Sequence, residues 1–402
     1  MKSLSNALEK DLSKKFQTIF EVNRLDGLAR KTRFVERSTS QISGHMFLKL
    51  NVLFDSNNKE SSLNDMCDFL EDHFQVRIKK QSLDERFNQT GVAFMKECFY
   101  EVFSKTMHGG DLQCRNHFFS HIYLSDSTAF KLPSALKELY KGTGTASGLK
   151  IFYSFDLAQG TCTYLDYQAA CVNDCDALPE LEKEITKGAL YIKDLGFWSG
   201  NNLEHIHQNG AYFVSRYKTG TNVFGREKNT DQLVHLQELL PLITSESYDC
   251  EGFIDTKSQI PIRVSIQKVP QEVALARIKK MKHKAATMKR EISDRSILFA
   301  HYNIYLTNAS EEQLPYEVIQ SAYRLRWQIE QVFKAWKSIL ELEKLKTLNA
   351  NRSESYLLGR ILFIMLSTFT QNTFKQYLRN AEDFELSEWK THKVFKKSQC
   401  SN

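Results

Sequence analysis

The sequence has few of the residues that interrupt regular secondary structure, and its cysteines are not arranged in clusters. Its 402 residues include 17 glycines, 6 prolines and 8 cysteines. No two cysteines follow a C-x2-C spacing, which argues against a zinc ribbon or a small disulfide-bonded scaffold. Cys171 and Cys175 have a ligand-like spacing but lack a second pair nearby, so we interpret them as structural. A reducing, intracellular setting is the simpler expectation.

Long hydrophobic runs are also missing. The longest apolar run lies near residues 361–369 and is far shorter than a membrane span requires. The N-terminal segment, MKSLSNALEKDLSKK, is polar and does not resemble a signal peptide. We therefore expect a soluble protein that has no membrane partner.

The overall composition is that of a globular protein. Hydrophobic residues make up 42% of the chain and charged residues 25%, which excludes a disordered chain. The chain is long enough for two or three domains and at least one large core. The net charge of +6 and the pI near 8.7 suit a polyanionic partner without requiring one.

Residues 1–110 have a helical pattern, with apolar side chains at i, i+3 and i+4 and few turn residues. Within them, residues 61–99 are typical of two helices joined by a short connection, as in a helix-turn-helix. The second helix of such a unit lies in the major groove of DNA. Its candidate DNA contacts are Arg77, Lys79, Lys80, Gln81, Ser82, Arg86 and Gln89. A plain helical bundle with a charged face explains the segment equally well.

Alternating apolar residues indicate a sheet between residues 121 and 217. The predicted elements are strands 122–130, 149–157 and 161–167, a helix over 178–187, a strand over 189–194, a helix over 202–208 and a strand over 211–216. This is the element order of an RNase H-like core, a mixed sheet with helices on its faces. Further along, a strand is predicted over 297–307. A long apolar helix is predicted over 353–381, and it packs either on the core or on a second subunit.

Two acids lie where the sheet is expected to be buried. Asp126 is inside the first predicted strand, and Asp194 ends the fourth. A buried carboxylate is costly unless a positive group compensates it. In an RNase H-like sheet these two strands are adjacent, so we expect the two carboxylates to converge. Taken singly, each is more often an ordinary cap or surface acid.

Residues 322–340, AYRLRWQIEQVFKAWKSIL, are predicted to form one amphipathic helix. At about 100° per residue, Tyr323, Arg326, Glu330 and Lys337 fall within roughly a 60° arc. This stripe of four side chains is either a solvated face with intrahelical ion pairs or one wall of a cleft.

The spacing Y-x2-R-x3-E-x6-K of these four residues resembles the signature of the IS4-type DDE transposases, the Tn5 transposase group. DSTAF around Asp126 and KDLGFWS around Asp194 resemble the first two acid motifs of that group. FVSRYKTGTNVF, with Arg216 and Lys218, resembles the motif that follows. The segment LARKTRFVERSTSQISG resembles the beginning of the same group. The resemblance extends from about residue 28 to 345.

The resemblance implies a mixed α/β fold built on an RNase H-like catalytic core. The expected parts are a helical N-terminal DNA-binding domain (1–110), the first part of the core (111–219), a β-rich insertion (220–295), the second part of the core (296–345) and a C-terminal helical segment (346–402). The insertion contains a basic segment, 277–290, that either follows phosphates or forms a solvated face.

The resemblance also implies a site for two Mg²⁺ ions, with Mn²⁺ as a substitute. Asp126 would be the shared ligand, Asp194 would bind one ion and Glu330 the other, in keeping with the preference of Mg²⁺ for oxygen ligands. The expected DNA contacts are Tyr323, Arg326, Lys337, Arg216, Lys218, Lys334, Tyr302, Arg33, Lys79, Lys80, Gln81 and Arg86. Asn303 stands where hairpin-forming relatives carry an aromatic wedge, which is a departure from that pattern.

The function that the resemblance implies is cut-and-paste transposition of an insertion sequence. The partners would be double-stranded DNA, as terminal inverted repeats and target, and a second subunit in a homodimer on DNA. The location would be the bacterial cytoplasm, on the nucleoid when bound. Two alternatives are an RNase H-like nuclease that does not join strands and an inactive DNA-binding regulator derived from a transposase. The three intact acids disfavour the regulator, and the full Tyr-Arg-Glu-Lys stripe favours the transposase over the nuclease.

Overall fold

The structure is a computed structural model that describes residues 13–14, 17–37, 39–54, 62–106, 118–158, 161–255, 259–340 and 349–379. A mixed sheet of ten strands forms its centre. Along the part of the chain that the structure describes, helices of bilayer-spanning length and apolarity are absent.

The strands follow one another along the sheet in the order β3-β2-β1-β4-β5-β10-β9-β8-β6-β7. They are β1 (Ile122–Lys131), β2 (Gly148–Asp156), β3 (Thr161–Ala169), β4 (Leu190–Lys193), β5 (Tyr212–Arg216), β6 (Val223–Arg226), β7 (Leu233–His235), β8 (Ser247–Asp255), β9 (Gln259–Lys268) and β10 (Tyr302–Thr307). β1 to β3 are antiparallel neighbours, and β4 and β5 run parallel to β1. The first five strands thus have the order and directions expected of an RNase H-like core.

The segment predicted as an insertion adds to this sheet. Its strands β6 to β9 form one end, and β10 joins the two halves by pairing with β5 on one side and β9 on the other.

The helices are α1 (Val22–Lys31), α2 (Gly44–Lys49), α3 (Leu63–Phe74), α4 (Lys80–Asp84), α5 (Gln89–Thr106), α6 (Leu178–Leu181), α7 (Gly200–Gln208), α8 (Leu236–Leu242), α9 (Gln271–Thr287), α10 (Asp294–Ala300), α11 (Tyr316–Arg324), α12 (Trp327–Leu340) and α13 (Ala350–Arg379). A π-helical turn, Leu50–Phe54, continues α2. All described elements before β1 are helical.

The second helix of the predicted helix-turn-helix is divided in two. α4 ends at Asp84, and α5 begins only at Gln89. The Asn88 side chain accepts a hydrogen bond from the Gly91 N–H at 3.0 Å, which caps the first turn of α5 and starts a new helix there.

The helix predicted over 178–187 begins at the predicted residue but is much shorter, because α6 ends at Leu181. The next residue, Glu182, is buried and forms an ion pair with the fully buried Lys193 of β4. Asn202 donates a further hydrogen bond to Glu182 at 2.7 Å. A buried lysine side chain requires polar partners, so the chain turns inward after α6.

The strand predicted over 297–307 is a helix in its first half. The Ser293 side chain accepts from the Ser296 N–H at 3.3 Å and caps α10, so that β10 begins only at Tyr302.

The single helix predicted over 322–340 is broken after its first turn. α11 ends at Arg324, and the N–H groups of Leu325 and Arg326 bond three residues back, to Ala322 and Tyr323. These tighter turns interrupt the α-helical hydrogen bonding before α12. Tyr323 and Glu330 therefore belong to different helices.

The C-terminal helix α13 packs within the chain, which is one of the two arrangements predicted for it. It lies against α5 and the π-helical turn, and its apolar residues from Leu357 to Leu366 are buried. The N-terminal helices, α13 and one face of the sheet share a single hydrophobic core.

Candidate active site

Asp126 and Asp194 lie side by side because β1 and β4 are parallel neighbours. Ser125 of β1 is paired with Lys193 of β4, and each aspartate is the next residue. Asp126 remains inside its strand, opposite Tyr153 of β2. Asp194 leaves the sheet and accepts from the Gly196 N–H at 3.4 Å, at the start of a short turn.

Glu330 reaches the same place from the first turn of α12. The helix is fixed to the sheet by aromatic packing, since Tyr153 has its ring centroid 5.0 Å from that of Trp336 and 6.2 Å from that of Phe333. Trp336 is fully buried. Burial of such side chains is the main source of helix docking energy, so these rings set the distance of Glu330 from the strands.

Arg326 lies between the three acids. Its Nη1 is 3.1 Å from Asp126 Oδ2, its Nη2 is 2.6 Å from Glu330 Oε1, and its Nε is 3.5 Å from Asp194 Oδ1. One planar guanidinium thus touches a carboxylate from each of three distant parts of the sequence. The three predicted acids converge in space.

The charges of this acid cluster, defined as Asp126, Asp194 and Glu330, perturb one another. Burial raises the pKa of Asp126 to about 6, and repulsion by Asp194 and Glu330 adds to the rise. The Ser127 N–H and Arg326 act in the opposite direction. Burial opposes the charge of Arg326, but attraction by Asp194 and its other neighbours raises its pKa above the usual range.

Tyr323 supports the cluster from the end of α11. Its hydroxyl donates to Asp194 Oδ1 at 3.5 Å, and the Arg326 guanidinium lies 5.8 Å from its ring centroid. Burial, followed by the charge of Asp194, raises its pKa to about 12, so the phenol stays protonated as a donor. Only 8% of its surface is exposed.

Asp174 is a fourth carboxylate near the cluster, and the sequence reasoning missed it. It accepts from the Ser127 hydroxyl at 2.6 Å and from Lys150 Nζ at 3.1 Å. Its Oδ2 would lie 2.5 Å from a Cβ added to Gly196, so the turn after Asp194 packs directly on it. Asp174 therefore connects the residue after Asp126 with the turn after Asp194.

The acid cluster is suited to a hard divalent cation, although Arg326 now lies in its middle. Within the described residues, no three Asp, Glu, His or Cys side chains form a ready ligand group. The donors are all carboxylates, which Mg²⁺ and Mn²⁺ prefer. Three carboxylates face a single guanidinium, so two negative charges remain in excess. The residues present fit a cation that would relieve this repulsion.

A family model described as "Transposase DDE domain" matches residues 117–366, the part of the chain that carries all three acids. The chain belongs to the transposase DDE domain family. Members of the family generally use divalent metal ions. The prediction of a DDE-class insertion-sequence transposase, an enzyme that cleaves DNA and transfers strands, is confirmed.

Relatives of this transposase cover most of its length. The transposase for insertion sequence element IS1151 of Clostridium perfringens is 27% identical over 404 residues, which span 95% of this chain and 85% of the relative. That for IS231F of Bacillus thuringiensis subsp. israelensis is 29% identical over 387 residues, 91% of this chain and 81% of the relative. The piggyBac transposase, in a synaptic complex with hairpin DNA, has a similar fold, with a TM-score of 0.50 and 11% identity over 96% of this chain and 80% of that chain.

Several expected DNA contacts of the transposase lie on α12, which carries Glu330, or at the end of β5, which pairs with β4. Lys334 and Lys337 are exposed on α12 and lie over the rings of Trp327 and Phe130, at 5.6 and 5.8 Å. Arg216 ends β5, and Lys218 follows it with its Nζ 5.8 Å from the Trp198 ring centroid.

Two residues at the start of β10 that were singled out in the sequence have internal partners. The hydroxyl of Tyr302 donates to the Leu240 carbonyl at 3.1 Å. Asn303, at the position aligned with an aromatic wedge, accepts from Arg277 Nη2 at 2.7 Å.

The N-terminal candidates are more dispersed. Arg33 is exposed and has a positive φ of 59°. Lys79, Lys80 and Gln81 are exposed and line a shallow groove between α3 and α4. Arg86 has internal partners instead, because it donates to the Phe34 carbonyl at 3.4 Å and to the Ser40 hydroxyl at 3.0 Å.

Proposed function

We propose that this transposase excises an insertion sequence by cutting at its terminal inverted repeats and then joins the free ends to target DNA. The observation that supports this most is the convergence of Asp126, Asp194 and Glu330 on one arginine. A nuclease and a transposase share such a cluster, but the family match favours the second.

The acid cluster, on an RNase H-like core, would hold two Mg²⁺ ions, with Asp126 as the shared ligand, Asp194 on one ion and Glu330 on the other. Such ions, when bound, activate a water or a 3′-hydroxyl and stabilise the leaving oxygen of an in-line displacement at phosphorus. Asp126 must be ionised to act as a ligand, and its raised pKa favours loading above about pH 6.

Arg326 has two roles in this proposal. Without a cation it neutralises part of the cluster; with the site loaded, it gives up its carboxylates and turns its planar fork to a DNA phosphate. Tyr323 keeps Asp194 oriented through its hydroxyl and supports the phosphate from the same side.

The remaining contacts are proposed to follow the DNA away from the cluster. Lys334 and Lys337 lie along the exposed face of α12, and Arg216, Lys218 and Tyr302 lie near the end of β5. The N-terminal helices would bind the terminal repeat through Arg33, Lys79, Lys80 and Gln81, with Arg86 supporting the neighbouring loop. A homodimer would hold the two ends together.

The test is a transposition reaction in vitro with a plasmid that carries the element ends. Asp194→Asn should abolish Mg²⁺-dependent cutting and joining, while Asp231→Asn, a change of the same kind at a residue far more exposed, should leave both intact. Cutting without joining by the parent protein would support the nuclease. DNA binding with neither reaction would support the inactive regulator.

A further inference from the structure

A cleft of about 510 Å³ opens next to the acid cluster, between α9 and the ends of β5 and β10. It begins at Leu195, the residue after Asp194. Four cationic side chains line it: Arg216, Arg277, Lys280 and Lys284. None of the described residues lining it is Asp or Glu. The four cations therefore give the cleft a net positive charge beside the negatively charged acid cluster.

The cleft takes its charge from one face of α9. Arg277, Lys280 and Lys284 stand at i, i+3 and i+7, which places them on the same side of a helix. Lys279 and Lys282 lie on the opposite side of the same helix and are exposed. The basic segment is thus divided into a face that lines the cleft and a face that meets solvent.

The wall of the cleft is held in place by hydrogen bonds. Arg277 Nη1 donates to the carbonyl oxygens of Ala300 and Tyr302 at 3.3 and 3.2 Å, and its Nη2 donates to Asn303 at 2.7 Å. These bonds fix α9 against β10. Burial lowers the pKa of Arg277, and the nearby charge of Arg216 lowers it further, so the two cations repel each other. An anion in the cleft would remove that repulsion.

We propose that this cleft binds backbone phosphates of the DNA strand whose scissile phosphate lies at the acid cluster, so that the strand runs from Asp194 along α9. The proposal rests on the proposed function for the identity of the strand. The ligand of the cleft would be a phosphodiester chain, because a row of cations without acids matches regularly spaced single negative charges. The cleft orients the strand and carries no sequence information.

The experiment compares two double variants of α9, Lys280→Ala with Lys284→Ala and Lys279→Ala with Lys282→Ala. Both remove two lysines from one helix, and all four residues are exposed, so the fold is retained. Each protein is titrated with salt in the presence of a short duplex of the element end and of a duplex of random sequence. In the cleft variant, Lys280→Ala with Lys284→Ala, the plot of log affinity against log salt concentration should become less steep by about 1.8. This corresponds to two lost phosphate contacts at about 0.9 each. The loss should be the same for both duplexes, and the matched control should keep the parent slope.

End cutting provides a second measurement. The cleft variant should cut ends more slowly than the parent, whereas the control should equal the parent. Equal loss of slope in both variants would overturn the proposal, because α9 would then be a generally basic surface. Normal cutting with loss of joining alone would also overturn it, because the cleft would then hold target DNA. If the parent binds DNA but does not cut it, the proposed function fails. The salt slopes then still show whether the cleft binds phosphates.

Discussion

At the scale of single residues, Arg326 determines the state of the acid cluster. Among the residues that the structure describes, it is the only cation that touches all three predicted acids. It lies at a break between two helices. The sequence predicted the acids through their positions on strands and through the motif spacing. It anticipated the i,i+4 contact of Arg326 with Glu330 but not the contacts with Asp126 and Asp194, because a continuous helix would have directed this side chain along the stripe.

Replacing Arg326 with Met should destabilise the protein when no divalent cation is present. Three carboxylates would lose a shared partner, and the expected cost is on the order of 2 kcal/mol in the free energy of unfolding. Added Mg²⁺ should then raise the melting temperature more in the variant than in the parent. Thermal unfolding with and without MgCl2 measures this, and an equal response of both proteins would contradict the competition between the arginine and the cation.

Asp126 should make stability depend on pH. Its pKa in the folded protein lies near 6, above the ordinary 3.8 expected in the unfolded chain, so the folded state binds the proton more tightly. The stabilisation is therefore complete below about pH 4 and is lost as the pH rises through 6. In the presence of a metal chelator at pH 7, Asp126→Asn should have a free energy of unfolding higher than that of the parent by about 2 kcal/mol. The difference should shrink towards pH 4. Chemical unfolding at several pH values tests this; a difference independent of pH would be inconsistent with it.

At the scale of elements, the segment around Asp174 connects the two strands that carry the aspartates. Sequence patterns predicted β1 to β5 because alternation marks half-buried strands. They did not identify Asp174, since its partners Ser127 and Lys150 are distant in the chain and only the folded sheet brings them together. The same holds for Glu182 and Lys193, whose ion pair shortened a predicted helix.

Asp174→Asn should reduce turnover more than substrate binding. The amide keeps the shape but loses the charge that holds Lys150, so the turn after Asp194 becomes less well fixed. We expect kcat for end cutting to fall roughly tenfold, which corresponds to about 1.4 kcal/mol, with KM nearly unchanged. Asp176→Asn, at an exposed neighbour, is the matched control. A change in KM alone would mean that Asp174 acts on DNA binding instead.

Local signals explain the errors in other elements. The run ILFAHYNIYLT alternates well enough for a strand, but a serine cap upstream starts α10, which begins before the run and extends into it to Ala300. The break before α12 was hidden because the apolar stripe continues across it. In each case, hydrogen bonds of a few residues outweighed the periodicity.

At the scale of the whole molecule, the N-terminal helices and the C-terminal helix are interdependent. α13 crosses the π-helical turn so closely that a Cβ added to Gly359 would overlap the carbonyl of Asn51. The apolar pattern predicted α13 as a long helix, but which surface it covers depends on residues hundreds of positions away. No sequence period encodes that choice.

Gly359→Ala should destabilise the whole protein even though alanine favours helices. The backbone of Asn51 cannot move without disturbing the core, so we expect a loss of about 1 to 3 kcal/mol. Gly27→Ala, in α1 where an added Cβ meets nothing within 4 Å, should be neutral or stabilising. Chemical unfolding of both variants measures the difference, and two similar values would contradict the close crossing.

The central place of β10 in the sheet bears on how the enzyme is made. A nascent chain reaches residue 302 only after the other nine strands have been synthesised, so until then the two halves of the sheet have no strand to join them. Glu330 leaves the ribosome later still. During translation the protein therefore has no complete set of acids, and the genome is exposed to a finished nuclease centre only when synthesis is nearly over.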